Sequence, residues 1–221
     1  AGGEPWCAHV TFLRPHPPYV APAPWHDLID PDAVPLPARH ESPEAEGAQH
    51  PMVAGAMFVD QVRAPASERD VRQFRATYWG MLAEVDEKVG WLLDHLDRSG
   101  QADDTFVIVT ADHGEQLGDH WLIEKLGFFD ESYHIPLLVA GPGVEPGTVV
   151  DDFTENVDLM PTILTELGVP VPAQCSGLPL QPFLAGGRPE RWRDAAHWEW
   201  DYRDPSVEAA IGVPLAASNL A

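Results

Sequence analysis

Between residues 67 and 143 the spacing of apolar side chains changes from helical to continuous, and this change restricts the fold more than any other feature. In "SERDVRQFRATYWGMLAEVDEKVGWLLDHLDRSG" the apolar residues are Val71, Phe74, Tyr78, Met81, Leu82, Val85, Val89, Leu92, Leu93 and Leu96. That spacing predicts one long amphipathic helix. Ser67 can cap its start and Gly100 its end. A short turn then leads into "DDTFVIVTAD", an apolar run of the kind buried in a parallel sheet. "IPLLVAGPG", residues 135–143, reads as a second such strand ending in a Gly-Pro turn. Helix, turn and apolar strand in succession predict an α/β protein with a mostly parallel sheet flanked by helices.

The flanking segments are less regular. "WCAHVTFL", residues 6–13, is rich in β-branched and aromatic side chains and predicts a strand. "RPHPPYVAPAPW" follows as a proline-stiffened loop. Residues 30–68 are polar, acidic and proline-rich without a sustained period, which predicts a long surface loop or lid. "ENVDLMPTILTELGV" predicts a helix with Asn156 or Asp158 near its start and Gly168 at its end, and Pro161 is tolerable only in a first turn. "RDAAHWEWDYR", residues 193–203, predicts a late strand. No internal repeat is present.

Composition narrows the function classes. Against 13 basic residues stand 35 acidic ones, a net charge of −22. Such a chain repels nucleic acid and anionic membrane surfaces, so the expected partners include neither. An anionic substrate would need local positive charge from a metal or a few placed cations. The 2 cysteines, Cys7 and Cys175, form no CxxC and no disulfide framework, which favours a reducing, cytoplasmic setting. No apolar run reaches the ~18 residues needed to span a membrane. The start "AGGEPWCAHV" lacks the basic and apolar regions of a signal peptide and enters the expected strand within a few residues.

The residues with chemistry lie where the apolar run stops, in "VIVTADHGEQLGDHWLIEK". Open α/β sheets bind ligands outside the carboxyl ends of their strands. Asp112 and His113 stand at such an end, and an adjacent carboxylate and imidazole can bind one divalent cation. That donor pair suits Mn, Fe or Zn, or Ca or Mg with more oxygen ligands. An equal alternative makes Asp112 the cap of the following turn and His113 a polar surface residue. Lys125 reads as a solvated lysine, and Asp119 with His120 as a turn. His16 is held between two prolines, as an aimed residue would be, although proline-rich turns also hold histidines without function. Arg14 can pair with an anion or with one of the many acids.

Taken together, "TADHGEQLGDHWLIEKLGFFDESYHIPLLVAGPG" resembles the sulfatase group of the alkaline phosphatase superfamily, most nearly its phosphonate monoester hydrolase and phosphodiesterase branch. "RPHPPYVAPAPWHDL", "VDLMPTILTELGV" and "GLPLQPFLAGGRPERWRDAAHWEWDYRD" match further landmarks of that group in the same order. The resemblance implies an alkaline-phosphatase-like α/β fold. Residues 1–170 would form part of the catalytic domain, and 171–221 the start of a smaller C-terminal lobe. It implies that Asp112 and His113 are two ligands of one divalent cation, Mn or Ca ahead of Mg, Fe and Zn. It implies that Lys125 contacts the non-bridging oxygens of a small anionic ester, and that His16 meets the substrate near the leaving-group oxygen. A metal and a lysine offset charge on a transferring group, and an imidazole can protonate a departing oxygen.

One landmark is absent. The family's nucleophile sits in a Cys/Ser-x-Pro-x-Arg motif, and neither cysteine nor any serine of this chain has that context. In the family the motif and the remaining metal carboxylate lie upstream of the segment where this chain begins. The expectation is therefore the C-terminal part of a longer hydrolase of phosphonate monoesters, phosphodiesters or sulfate esters, acting through a covalent intermediate and self-associating when complete. The chain alone would be inactive. The alternatives are an arylsulfatase-type enzyme, or a short protein that binds a metal or partner without catalysis.

Overall fold

The computed structural model describes residues 5–57 and 59–199. Contacts divide them into two compact units. Of the described residues, those within 5–98 and 115–127 form the first and those within 99–114 and 128–199 the second.

The first unit is organised by the long helix α3, Glu68–Ser99, which runs as its spacing predicts. Ser67 Oγ accepts the Asp70 amide at 3.1 Å, and Gly100 takes the left-handed conformation (φ +68) that ends the helix. Val71 and Met81 are fully buried on its inner face. Further along, Leu82, Leu92 and Leu93 stay exposed, because no described element covers them. Residues 30–68 are more structured than a featureless loop. They contain α1, Pro43–Gly47, and α2, Pro51–Ala56. Each begins with Pro at its first position after a side chain, Ser42 or His50, that accepts an early amide. Elements of 5 and 6 residues are too short for a periodic signal. Val34, Ala56, Met57, Val62 and Ala64 from this stretch are core residues. An antiparallel bridge between Arg63 and Leu122 brings in the loop of residues 115–127. Arg75 ties the same loop to α3 through Asp119 at 3.2 Å.

The second unit contains β1, Val107–Thr110; α4, Asp130–Tyr133; β2, Leu137–Ala140; α5, Leu159–Glu166; and α6, Gln181–Leu184. The strands pair antiparallel, Val107 opposite Ala140 and Thr110 opposite Leu137, and not in the parallel sense read from their apolar runs. A parallel return needs a crossover to the far end of the sheet, whereas residues 111–136 leave and re-enter at the same end. Apolar runs report burial and carry no information on direction. β2 also alternates half-buried and exposed residues, with Leu138 62% exposed.

Before α5, Glu155 and Asp158 form a reciprocal capping box around a single 3-10 turn, Asn156–Asp158. Pro161 lies buried in the first turn of α5, and Gly168 is left-handed (φ +65) just past its end. Asp158 is fully buried and receives both terminal nitrogens of Arg193, at 2.5 and 2.6 Å. These bonds, against partial burial, hold the Arg193 guanidinium above its ordinary pKa.

Two expected strands need correction. Residues 6–13 are exposed and pair with no strand among the described residues. β-Branched and aromatic side chains suit a pleated surface, but a strand also requires a neighbour for its ladder bonds. Residues 193–199 of the expected late strand are likewise irregular, and residues 200–203 lie outside the described residues. No described helix is long and apolar enough to cross a membrane.

Candidate active site

Asp112 and His113 follow β1 directly, and their backbone is fixed from both sides. Asn156 Nδ2 donates to the Ala111 carbonyl at 2.9 Å, and Thr110 Oγ1 lies 2.9 Å from the Pro136 carbonyl and 3.3 Å from Asn156 Oδ1. On the other side the Gly114 amide donates to the Ser132 carbonyl at 2.7 Å. A Cβ on Gly114 would stand 2.0 Å from the Glu131 carbonyl oxygen, so only glycine permits this approach.

The two side chains have complementary orientations. Asp112 Oδ1 accepts the His113 amide at 3.0 Å, and the carboxylate is 89% exposed. His113 Nδ1 lies 2.8 Å from the Gly114 carbonyl. A carbonyl oxygen only accepts, so Nδ1 carries the proton and Nε2 of the neutral ring keeps its lone pair. Nε2 stands 3.7 Å from Asp112 Oδ2. An imidazole whose far nitrogen is tied to a carbonyl is the usual state of a metal-ligating histidine. The pair fits two positions of a mixed oxygen and nitrogen set for a divalent cation. Among the described residues no group of three or more His, Cys, Asp or Glu gathers to complete such a set.

His16 and Lys125 belong to the first unit. His16 is exposed, flanked by cis peptide bonds at Arg14–Pro15 and Pro17–Pro18. Its Nδ1 lies 3.0 Å from the Pro17 carbonyl, so Nε2 is the nitrogen left to act outward. Lys125 occupies a turn whose neighbours are both held by Gln116. The Gln116 amide donates to the Glu124 carbonyl and its side-chain Nε2 to the Leu126 carbonyl, each at 2.8 Å. Gln116 itself is fully buried. Glu115 accepts the Tyr19 hydroxyl at 2.9 Å on one oxygen and the Glu124 amide on the other. Burial raises the Glu115 carboxyl above its usual pKa, despite bonds from Tyr19, Glu124 and Leu117 that favour the charge. Burial and then the Glu115 carboxylate push the Tyr19 phenol far upward, and the same causes act on Tyr78.

The remaining candidates have structural roles. Asp119 and His120 form a turn, Asp119 with Arg75 and His120 Nδ1 2.9 Å from Glu46 Oε1. Burial would raise Glu46, but donors from His40, His120 and Gln49 outweigh it and hold the carboxyl below its usual range. Arg14 pairs with an acid, Glu84, at 3.5 Å. Cys7 and Cys175 are free thiols. The structure thus brings Asp112 and His113 together at one strand end, with His16 and Lys125 in the other unit. Sequence reasoning did not single out Tyr19, Glu115 or Gln116 and read Asn156 only as a helix start. The signal for Glu115 and Gln116 was their place inside the chemistry-bearing run.

Residues 1–169 match the family model described as Sulfatase. A multifunctional alkaline phosphatase superfamily protein, PehA, of Trinickia caryophylli is 44% identical over 216 residues, 91% of this chain and 42% of that protein. A phosphonate monoester hydrolase of Agrobacterium radiobacter superposes with a TM-score of 0.86 at 42% identity, over 96% of this chain and 45% of that one. For a phosphonate monoester hydrolase from Silicibacter pomeroyi the values are 0.81 and 42%, over 86% and 39%. The chain spans less than half the length of each.

Proposed function

The chain belongs to the sulfatase family of the alkaline phosphatase superfamily, and from that premise we propose that it is part of a metal-dependent hydrolase of phosphonate monoesters and phosphodiesters. The observation that carries the proposal is the Asp112–His113 pair. His113 Nδ1 is committed to the Gly114 carbonyl, and Nε2 faces the same space as the Asp112 carboxylate. Relatives named for phosphonate monoesters, at 42% identity, favour phosphorus over sulfur. The family model, named for sulfatases, favours sulfate esters as a second substrate class.

In this reading Asp112 and His113 hold one divalent cation together with ligands from outside this chain. A bound cation would supply positive charge against the non-bridging oxygens of the ester, which is most of what phosphoryl transfer demands. The Lys125 ammonium adds a second positive charge to those oxygens. The attacking group lies outside these residues, since no Cys/Ser-x-Pro-x-Arg occurs here. It displaces the alcohol or phenol to give a covalent intermediate, which water then cleaves. As the bond to the leaving oxygen breaks, protonated His16 donates from Nε2 to that oxygen while Nδ1–H stays on the Pro17 carbonyl.

The test is Asp112→Asn in the complete enzyme, followed by elemental analysis and turnover of an aryl phosphonate monoester and an aryl sulfate. The expected result is loss of the bound divalent ion together with most activity on both esters. Wild-type metal content in this variant would remove Asp112 from the ligand set. Faster wild-type turnover of the sulfate than of the phosphonate would reverse the substrate order.

A further inference from the structure

The hydrogen bond between Tyr19 and Glu115 joins two segments 96 positions apart in sequence. One carries His16 and the other grips the Lys125 turn. On the His16 side, Tyr19 follows two prolines whose rings fix φ, so a restraint on Tyr19 passes along a stiff backbone to His16. The Tyr19 ring also meets Phe74 of α3 edge to face, with centroids 4.5 Å apart, so the ring packs against the helix while the hydroxyl fixes its distance from Glu115.

On the Lys125 side, Glu124 has φ +63, a left-handed conformation unfavourable for a residue with a Cβ. Such a conformation persists where its surroundings over-determine it. Here the Glu124 amide donates to Glu115 and its carbonyl accepts from the Gln116 amide, while the Gln116 side chain holds the Leu126 carbonyl. Lys125 is thereby bracketed on both sides. Glu115 touches both assemblies, through a different oxygen for each.

We propose that Tyr19 and Glu115 are positioning residues, a strut that sets the place of the leaving-group acid, His16, relative to the Lys125 turn. This rests on the reading of His16 and Lys125 given above. The strut needs no contact with substrate. It acts by holding two catalytic groups at one spacing, and misplacement of a catalytic group by about 1 Å costs on the order of 100-fold in rate.

The test uses the complete enzyme and a series of aryl phosphonate monoesters whose phenols span good to poor leaving groups. Tyr19→Phe removes only the hydroxyl and keeps the ring on Phe74. The expected result is a fall in kcat/KM of about 10- to 100-fold on the poorest leaving group and under about 3-fold on the best. Metal content should be unchanged. Glu115→Ala should show the same steepening, and Glu115→Gln, which keeps an acceptor oxygen, should show less of it. A uniform fall across the series, or none, in Tyr19→Phe would overturn the proposal. His16→Ala separates the two levels of reasoning. If its own series is no steeper than wild type, the role of His16 fails and the strut fails with it. If it is steeper while Tyr19→Phe is not, only the strut fails.

Discussion

Arg193→Met should loosen the site from a distance, and the size of the effect follows from the burial of Asp158. That carboxylate is fully buried and receives four donors: the Glu155 amide at 2.9 Å, the Leu178 amide at 2.8 Å and two Arg193 nitrogens at 2.5 and 2.6 Å. Methionine keeps most of the arginine stem but removes the charge, both bonds to Asp158 and the 3.0 Å contact with Glu155. Stranding one member of a buried pair costs about 3–5 kcal/mol. The Arg193 side chain is 14% exposed, so the lower end, about 3 kcal/mol, is the better figure. At about 1.4 kcal/mol per decade this is roughly a 150-fold larger locally open population, and exchange faster in proportion. The assay is amide hydrogen exchange in the complete enzyme, read on peptides covering residues 155–162 and 176–181. Consequences should extend further, because Asp158 closes the capping box around Asn156, and Asn156 holds the Ala111 carbonyl beside Asp112. Ligand-orienting contacts of this kind are worth about 10- to 100-fold in metal affinity. Arg193→Met should therefore release its divalent ion at lower chelator concentration than wild type. Exchange within a few-fold of wild type, or unchanged metal retention, would refute this chain of contacts.

Gly114→Ala should lose bound metal while α3 and its surroundings keep their exchange protection, because the new methyl would meet the Glu131 carbonyl at 2.0 Å and force residues 112–114 to move; wild-type metal affinity in this variant would mean the turn can give way freely. Tyr19 and Tyr78 retain their protons in the folded chain far above the ordinary phenol value, through burial first and the Glu115 carboxylate second. The unfolded chain gives up those protons near pH 10, so their contribution to stability is complete below about pH 10 and declines as the pH rises above it. The urea midpoint should fall across that range and fall less steeply in Tyr78→Phe, and identical slopes would count against the burial of this phenol.

Local signals were readable in the sequence where they repeat, and long-range ones were not. The 32 residues of α3 give many turns of one pattern, with Ser67 and Gly100 at the boundaries, so their position follows from spacing and capping chemistry alone. β1 and β2 are as apolar as expected, but pairing sense depends on which end of the sheet the connection returns to, and no side chain records that. Asp112 and His113 were recognisable as neighbours with metal-ligand chemistry. The contact that steadies them comes from Asn156, 45 positions away from Ala111, and an asparagine before a helix looks like a cap whether or not it also clamps another strand end. The run "DHGEQ" shows the same limit within five residues. Its first three serve the strand end in the second unit, where the imidazole and carboxylate share one face and glycine admits the Glu131 carbonyl. Its last two turn their hydrogen bonds to the Lys125 turn and to Tyr19 in the first. A contiguous run therefore invites assignment as one cluster, whereas the backbone between Gly114 and Glu115 divides it into donors suited to a cation and supports suited to a lysine. Substitutions on either side of that peptide should accordingly separate metal loss from changes in leaving-group dependence.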